Sequence, residues 1–289
     1  MNYIFIISII CCLLVGCSKK TNTITTDTII TNTISADTIT TDIIFDNNLL
    51  KDFSIDKKFI NSIEYTPDGF ILLSSANQFY LLGSGGIASI FENWNSKNSI
   101  ESFTITSDSI LVVISGKSLY QANADTSFVK IADIPDNNIG ITSKYDNIYV
   151  YERIFKNEKK NYSIYQLSRD EKITTLVTIS TPVLSVFERP LQLIFSTNNI
   201  LFSVEIKTKK LFQILALPPK NNIISIVGDD IHHALYFSTN EAIYRIKNTQ
   251  LELVSDKFGG ILKYDGEGLL IFNPDENYIV RFRNNILYH

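Results

Sequence analysis

After residue 58 a pattern of about forty residues recurs six times, and no other feature of the chain restricts its fold as strongly. Its clearest mark is a pair of adjacent apolar or aromatic residues, then a polar one, then another apolar one. The copies are Phe79-Tyr80, Leu119-Tyr120, Ile164-Tyr165, Leu201-Phe202, Ile243-Tyr244 and Ile279-Val280. Their second members stand at 80, 120, 165, 202, 244 and 280, so the spacings are 40, 45, 37, 42 and 36. Fixed periods of this size belong to solenoids and propellers.

The flanking residues separate those two. A short apolar run precedes each copy ("GFILLSS", "SILVVIS", "NIYVYER", "LQLIFST", "ALYFST", "LLIFNP"). An alternating segment precedes that run, and a fourth strand-like piece follows the copy, ending with "NILYH" in the sixth unit. Asp, Asn, Gly, Ser and Pro fill the gaps, where turns need them. Helical repeats would place apolar residues at i, i+3, i+4 and i+7, and no such period is sustained. Four short strands per unit predict an all-β fold, a six-bladed β-propeller of four-stranded antiparallel blades over residues 59–289. Continuous apolar runs in each second strand suit burial between neighbouring blades. "VEIKTKKLFQI" (204–214) reads as an outer hairpin that turns at Lys207–Lys210. Residues 43–58 precede the first blade, and the overlapping stretch "DIIFDNNLLKDFSID" (42–56) is a candidate outer strand for the last blade that closes the ring.

The 289 residues are 45% hydrophobic and 19% charged, enough to bury a sizeable core. A net charge of -4 lacks the basic excess of a nucleic-acid binder, so no nucleic-acid partner is expected. The only cysteines are Cys11, Cys12 and Cys17, which excludes disulfides and thiolate metal sites from the repeat domain.

Those cysteines lie in "MNYIFIISIICCLLVGCSKK". The apolar run Ile4–Val15 spans roughly 18 Å as a helix, too short for a hydrocarbon core of about 30 Å. It has the length of a signal-peptide h-region. Leu14-Val15-Gly16-Cys17 resembles the lipobox of bacterial lipoproteins. The resemblance implies a signal peptide over residues 1–16 and cleavage between Gly16 and Cys17. Cys17 would then carry a diacylglycerol thioether and an N-acyl chain (palmitate-like lipids), anchoring the protein in a bilayer. No other cofactor is expected. The n-region lacks Lys and Arg, a departure from the lipoprotein pattern. Ser18 resembles an outer-membrane sorting residue, and no acidic surface-export signal follows it. The expected location is the bacterial cell envelope, at the periplasmic leaflet of the outer membrane, with the cell surface as the alternative.

Residues 17–42 contain the lipidated end and a Thr/Ile/Asp tract in which "TNTITTDT" returns as "TNTISADT" ten residues later. Such low complexity reads as a spacer. Asp27-Thr28-Ile29 and Asp37-Thr38-Ile39 resemble the acceptor sequence of Bacteroidetes O-glycosylation, which makes Thr28 and Thr38 candidate glycan sites.

The repeats resemble the broad group of NHL-like and gluconolactonase-like six-bladed propellers, without the motif of any specific family. That resemblance implies two uses of the central channel. One is binding of an envelope protein or glycan without catalysis, the leading expectation. The other is a metal-dependent hydrolase or lactonase, for which Glu64, Glu101, Asn147, Asp229 and Asp230 are candidate ligands. A rigid scaffold subunit of an envelope complex is a third use. His232, His233 and His289 make a poor chelating set, since adjacent strand residues point to opposite faces. Gly83, Gly85 and Gly86 read as a turn. The loop "ERIFKNEKKNYS" (152–163) reads as a solvated hairpin or a partner contact.

Overall fold

A computed structural model of the chain describes residues 41–45 and 60–283, apart from 67–68, 76, 84–85, 92–93, 95–98, 136–138, 146, 154–160, 169–171, 231–232, 265–267, 274 and 277. Every regular element among the described residues is a β-strand.

Strand β1 (Thr41–Phe45) comes first. Blade one then contains β2 (Ile60–Tyr65), β3 (Ile71–Ser75), β4 (Gln78–Gly83) and β5 (Gly86–Ile90). Blade two is β6 (Ser102–Ile105), β7 (Leu111–Ser115), β8 (Ser118–Ala122) and β9 (Phe128–Asp133). Blade three is β10 (Ile139–Ser143), β11 (Ile148–Glu152), β12 (Tyr162–Leu167) and β13 (Ile173–Ile179). Blade four is β14 (Ser185–Arg189), β15 (Gln192–Thr197), β16 (Ile200–Glu205) and β17 (Leu211–Ala216). Blade five is β18 (Ser225–Asp229), β19 (Ala234–Ser238), β20 (Ile243–Lys247) and β21 (Gln250–Ser255). Blade six takes β22 (Ile261–Tyr264), β23 (Gly268–Asn273) and β24 (Tyr278–Arg283) from the end of the chain. Its fourth, outermost strand is β1, paired antiparallel with β24. The fold is therefore the expected six-bladed propeller. The piece "NILYH" (285–289), read from the sequence as the sixth outer strand, lies outside the described residues, and β1 fills that place instead.

The innermost strands β2, β6, β10, β14, β18 and β22 touch one another in cyclic order. Six apolar clusters fill the six seams between blades, one per seam. The seam between blades six and one holds Ile63, Leu73 and Leu82 against Leu270, Phe272 and Ile279. Blades one and two meet around Phe79, Phe103 and Val113. The second strands are buried on both faces, as in β7, β19 and β23, because each blade packs against two neighbours.

The repeating dyad has a structural cause. In blades two to five the third and fourth strands slip register by one residue at Leu119/Tyr120, Ile164/Tyr165, Leu201/Phe202 and Ile243/Tyr244. The extra residue on the fourth strand is Ile131, Leu176, Ile214 or Val254. The first dyad member is fully buried in each of these blades. Such a bulge bends the outer strand and increases its twist. Blade six repeats the device with its borrowed strand: Val280 pairs with Ile43, Ile279 pairs with Phe45, and Ile44 is the extra residue. Strand β1 thus has the same register break as the fourth strands of blades two to five.

Candidate functional site

The six inner strands surround a channel with a cavity of about 390 Å³, within the range of small-ligand sites. Every blade contributes to its wall. Hydroxyls line much of it: Ser62, Ser102, Thr142, Ser143, Ser185 and Ser225. Several tie adjacent blades together. Ile226 N donates to Ser185 Oγ at 3.1 Å, and Leu262 N donates to Ser225 Oγ at 2.9 Å. A small polar residue at these positions satisfies backbone groups of the next inner strand, which has no sheet partner on its channel side.

Among the described residues, five charged ones line the channel: Glu64, Lys144, Arg153, Asp230 and Lys263. Lys263 Nζ meets Glu64 Oε1 at 2.5 Å, joining blade six to blade one at the ring's seam. Lys144 pairs with Asp230, joining blade three to blade five across blade four, and its ammonium lies 4.4 Å from the Phe187 ring centre. Tyr145 OH also donates to Asp230 Oδ2, at 2.9 Å. Burial and the Asp230 carboxylate push the Tyr145 hydroxyl up to about 12, so it remains a donor across the physiological range. Burial opposes the charge on Asp230, but Lys144 and Tyr145 outweigh it and hold the carboxyl below its ordinary value.

Asp230 titration gives a signed prediction. A carboxyl depressed in the folded state stabilises above its unfolded pKa, and that stability is lost as pH falls through the folded value. Asp230→Asn should therefore lower the melting temperature by about 1–2 °C at neutral pH, since the pair is partly exposed. Thermal scans from pH 7 to pH 3 should show the gap to wild type closing below about pH 4. A gap that stays constant to pH 3 contradicts the ion-pair role.

Beneath this bridge lies a buried carboxylate, Glu188 on β14, 3% exposed. Its Oε1 accepts from Asn147 Nδ2 at 2.9 Å and from Tyr149 OH at 3.0 Å. Its Oε2 accepts from Tyr145 N at 3.2 Å. All three donors belong to blade three, so Glu188 fastens blade four to it. Burial raises the Tyr149 hydroxyl, and the Glu188 charge raises it further.

Arg153, just past β11, differs from the other channel cations. Among the described residues it forms no ion pair, so two anions face three cations in the channel wall. Its Cδ and the Tyr151 ring lie over the backbone of Gly140, where any Cβ would overlap both. Burial raises the Tyr151 hydroxyl, with Arg153 opposing the shift and Glu64 adding to it.

The residues proposed from sequence as metal ligands do not converge. Glu64 and Asp230 line the channel but each meets a lysine. Asn147 is spent between Glu188 and Gln166 Nε2, the latter at 2.9 Å. Glu101 N bonds Ile114 O at the entry to blade two, away from the channel-lining set. Asp229 ends β18 and is fully buried. Among the described residues no three His, Cys, Asp or Glu side chains group as a metal site. A divalent ion at Glu64 or Asp230 would have to displace an ammonium, so the channel wall does not suit one.

His233 sits in the turn before β19 with φ +53°; His232 and His289 lie outside the described residues. So do Gly16, Cys17, Thr28, Thr38, Gly85 and the centre of the 152–163 loop. Gly83 ends β4 and Gly86 begins β5, a hairpin turn. At the ends of the loop Asn161 is exposed, whereas Glu152 is buried. Glu152 is 4% exposed and accepts from Ser163 N at 2.8 Å and Tyr165 OH at 3.2 Å, while Arg153 faces the channel.

No family model matches the chain, and no curated protein matches it. Its fold is similar to virginiamycin B lyase from Staphylococcus aureus, at 12% identity and TM-score 0.57, over 78% of this chain and 95% of that one. A structural-genomics protein described as a candidate gluconolactonase aligns with TM-score 0.60 at 9% identity, over 78% of this chain and 88% of that one. The extracellular domain of a hybrid two-component system from B. thetaiotaomicron aligns with TM-score 0.57 at 14% identity, over 85% of this chain and 40% of that one. At these identities the likeness is one of fold: a six-bladed propeller similar to the gluconolactonase-like and lyase propellers.

Proposed function

We propose that the protein is a lipid-anchored propeller of the bacterial envelope that binds a protein or glycan partner without catalysis, and that the channel receives an acidic group of that partner. One observation carries the reading. Among the described residues the channel charges are compensated in pairs except for Arg153, which lines a cavity rich in hydroxyls. A guanidinium recognises a carboxylate through two parallel hydrogen bonds, and the hydroxyls suit the neighbouring oxygens of a sugar or peptide. Anchoring is supported by the lipobox-like Leu14–Cys17 and is consistent with the extracellular setting of one structural neighbour.

The test is calorimetric titration with neutral and uronate-bearing oligosaccharides and with acidic peptides, beside affinity recovery from the protein's own membranes. Arg153→Glu should weaken binding of the acidic ligand at least about tenfold with little change in melting temperature, because a charge-assisted contact is lost and the wall is not. Undiminished binding and recovery by the variant would overturn the channel reading.

A further inference from the structure

We infer that the outer hairpin of blade four is a docking surface for an anionic lipid bilayer. The eight residues 207–214 are all exposed, in the order Lys-Thr-Lys-Lys-Leu-Phe-Gln-Ile. Leu211, Phe212 and Ile214 are 40%, 46% and 41% exposed. Both faces of β17 are therefore open, whereas the other described outer strands expose mainly Thr, Lys, Ala, Ser or single apolar residues. Leu191, 64% exposed in the turn before β15, extends the patch, since its carbonyl accepts from Ile206 N at 3.0 Å. Lys210 lies 4.9 Å from the Phe212 ring centre, so charge and apolar surface are interleaved.

Charge selects the occupant. Residues 206–220 carry four lysines and no acidic residue, within a chain of net charge -4. A second copy adding its own β17 antiparallel would bring Lys207–Lys210 of each copy towards Lys220 of the other. Like charges would then meet at both ends of the pairing. A bilayer with anionic headgroups satisfies both parts at once: phosphates meet the lysines, and the acyl boundary takes Leu191, Leu211, Phe212 and Ile214. The inference rests on the envelope-membrane reading for its setting. Residues 18–40 reach at most roughly 80 Å when extended, enough to let the rim of the ring lie on the anchoring membrane.

The full-length protein carrying Phe212→Trp is mixed with vesicles containing brominated lipids. Trp94, packed among Phe79, Phe128 and Tyr120, serves as an internal reference. With about a third phosphatidylglycerol the added tryptophan should lose about half its emission, with under a tenth lost in pure phosphatidylcholine. Lys207→Glu, Lys209→Glu and Lys210→Glu together should restore it. No quenching on anionic vesicles overturns the inference, as does quenching that ignores lipid charge or lysine reversal. Concentration-dependent dimerisation that shields the added tryptophan without lipid also overturns it, in favour of a second copy. Flotation of the same vesicles reports anchoring separately. A chain that floats unquenched refutes docking alone, and one quenched on anionic vesicles without stable flotation refutes the anchor alone.

Discussion

Deleting residues 43–56, which removes most of β1, lowers the melting temperature by roughly 10 °C. The strand contributes about four ladder hydrogen bonds at about 1 kcal/mol each, and a domain of this size shifts roughly 2–4 °C per kcal/mol. The deletion also strips the cover from β24, in which Ile279, Val280 and Phe282 are each at most 3% exposed. Differential scanning calorimetry of the deleted chain checks the prediction. A midpoint within about 2 °C of wild type would mean that the ring holds without its borrowed strand.

Glu188→Ala has the second largest effect. The substitution leaves the Tyr149 hydroxyl, the Asn147 amide and the Tyr145 N–H without their acceptor, and the first of these is buried. Orphaned buried donors cost about 1–3 kcal/mol each, so a loss of about 3 kcal/mol and roughly 8 °C is expected. Glu188→Gln keeps one carbonyl oxygen for Tyr149 or Asn147 but turns an amide towards Tyr145 N, and should lose about half as much. Equal midpoints for the alanine variant and wild type, measured by thermal circular dichroism, would contradict the role of Glu188 as the fastening between blades three and four.

The difference between what was and was not legible in the sequence has a physical basis. Blade number, strand count and the buried second strands follow from local rules, because a strand buried on both faces writes a run such as Leu111–Ser115 into the sequence. The outer hairpin at 204–214 was legible from its polar Lys207–Lys210 turn between two strand-like stretches, although β17 is exposed on both faces. The segment around Ile43–Phe45 was legible as a candidate outer strand of the last blade, but its bulged register against β24 is a long-range fact. The channel was legible only in outline. Lys144, Arg153, Glu188 and Lys263 look like ordinary turn or surface charges in sequence; only closure of the ring brings Lys144, Glu188 and Lys263 against another blade and makes Arg153 part of a channel wall. Glu188, within "SVFERP", has no local mark of burial, because its donors lie about forty residues upstream. One signal was available: "IGITSKYDN" and "SVFERP" occupy the same place in successive units, so their polar ends had to be neighbours.

The bulged pairing of β1 with β24 also has a mechanical meaning. The described chain enters the ring at β1, so a pull on its N-terminal side loads the β1–β24 ladder first. The hydrogen bonds that close the circle are in series with that load, and the other five blades lie behind them. The Ile44 bulge fixes the register of that ladder, so the strand cannot creep by a residue under tension without breaking its pairing. Blade six is therefore the fuse of the molecule: under load the ring opens there, while the seams between blades one and five are still intact.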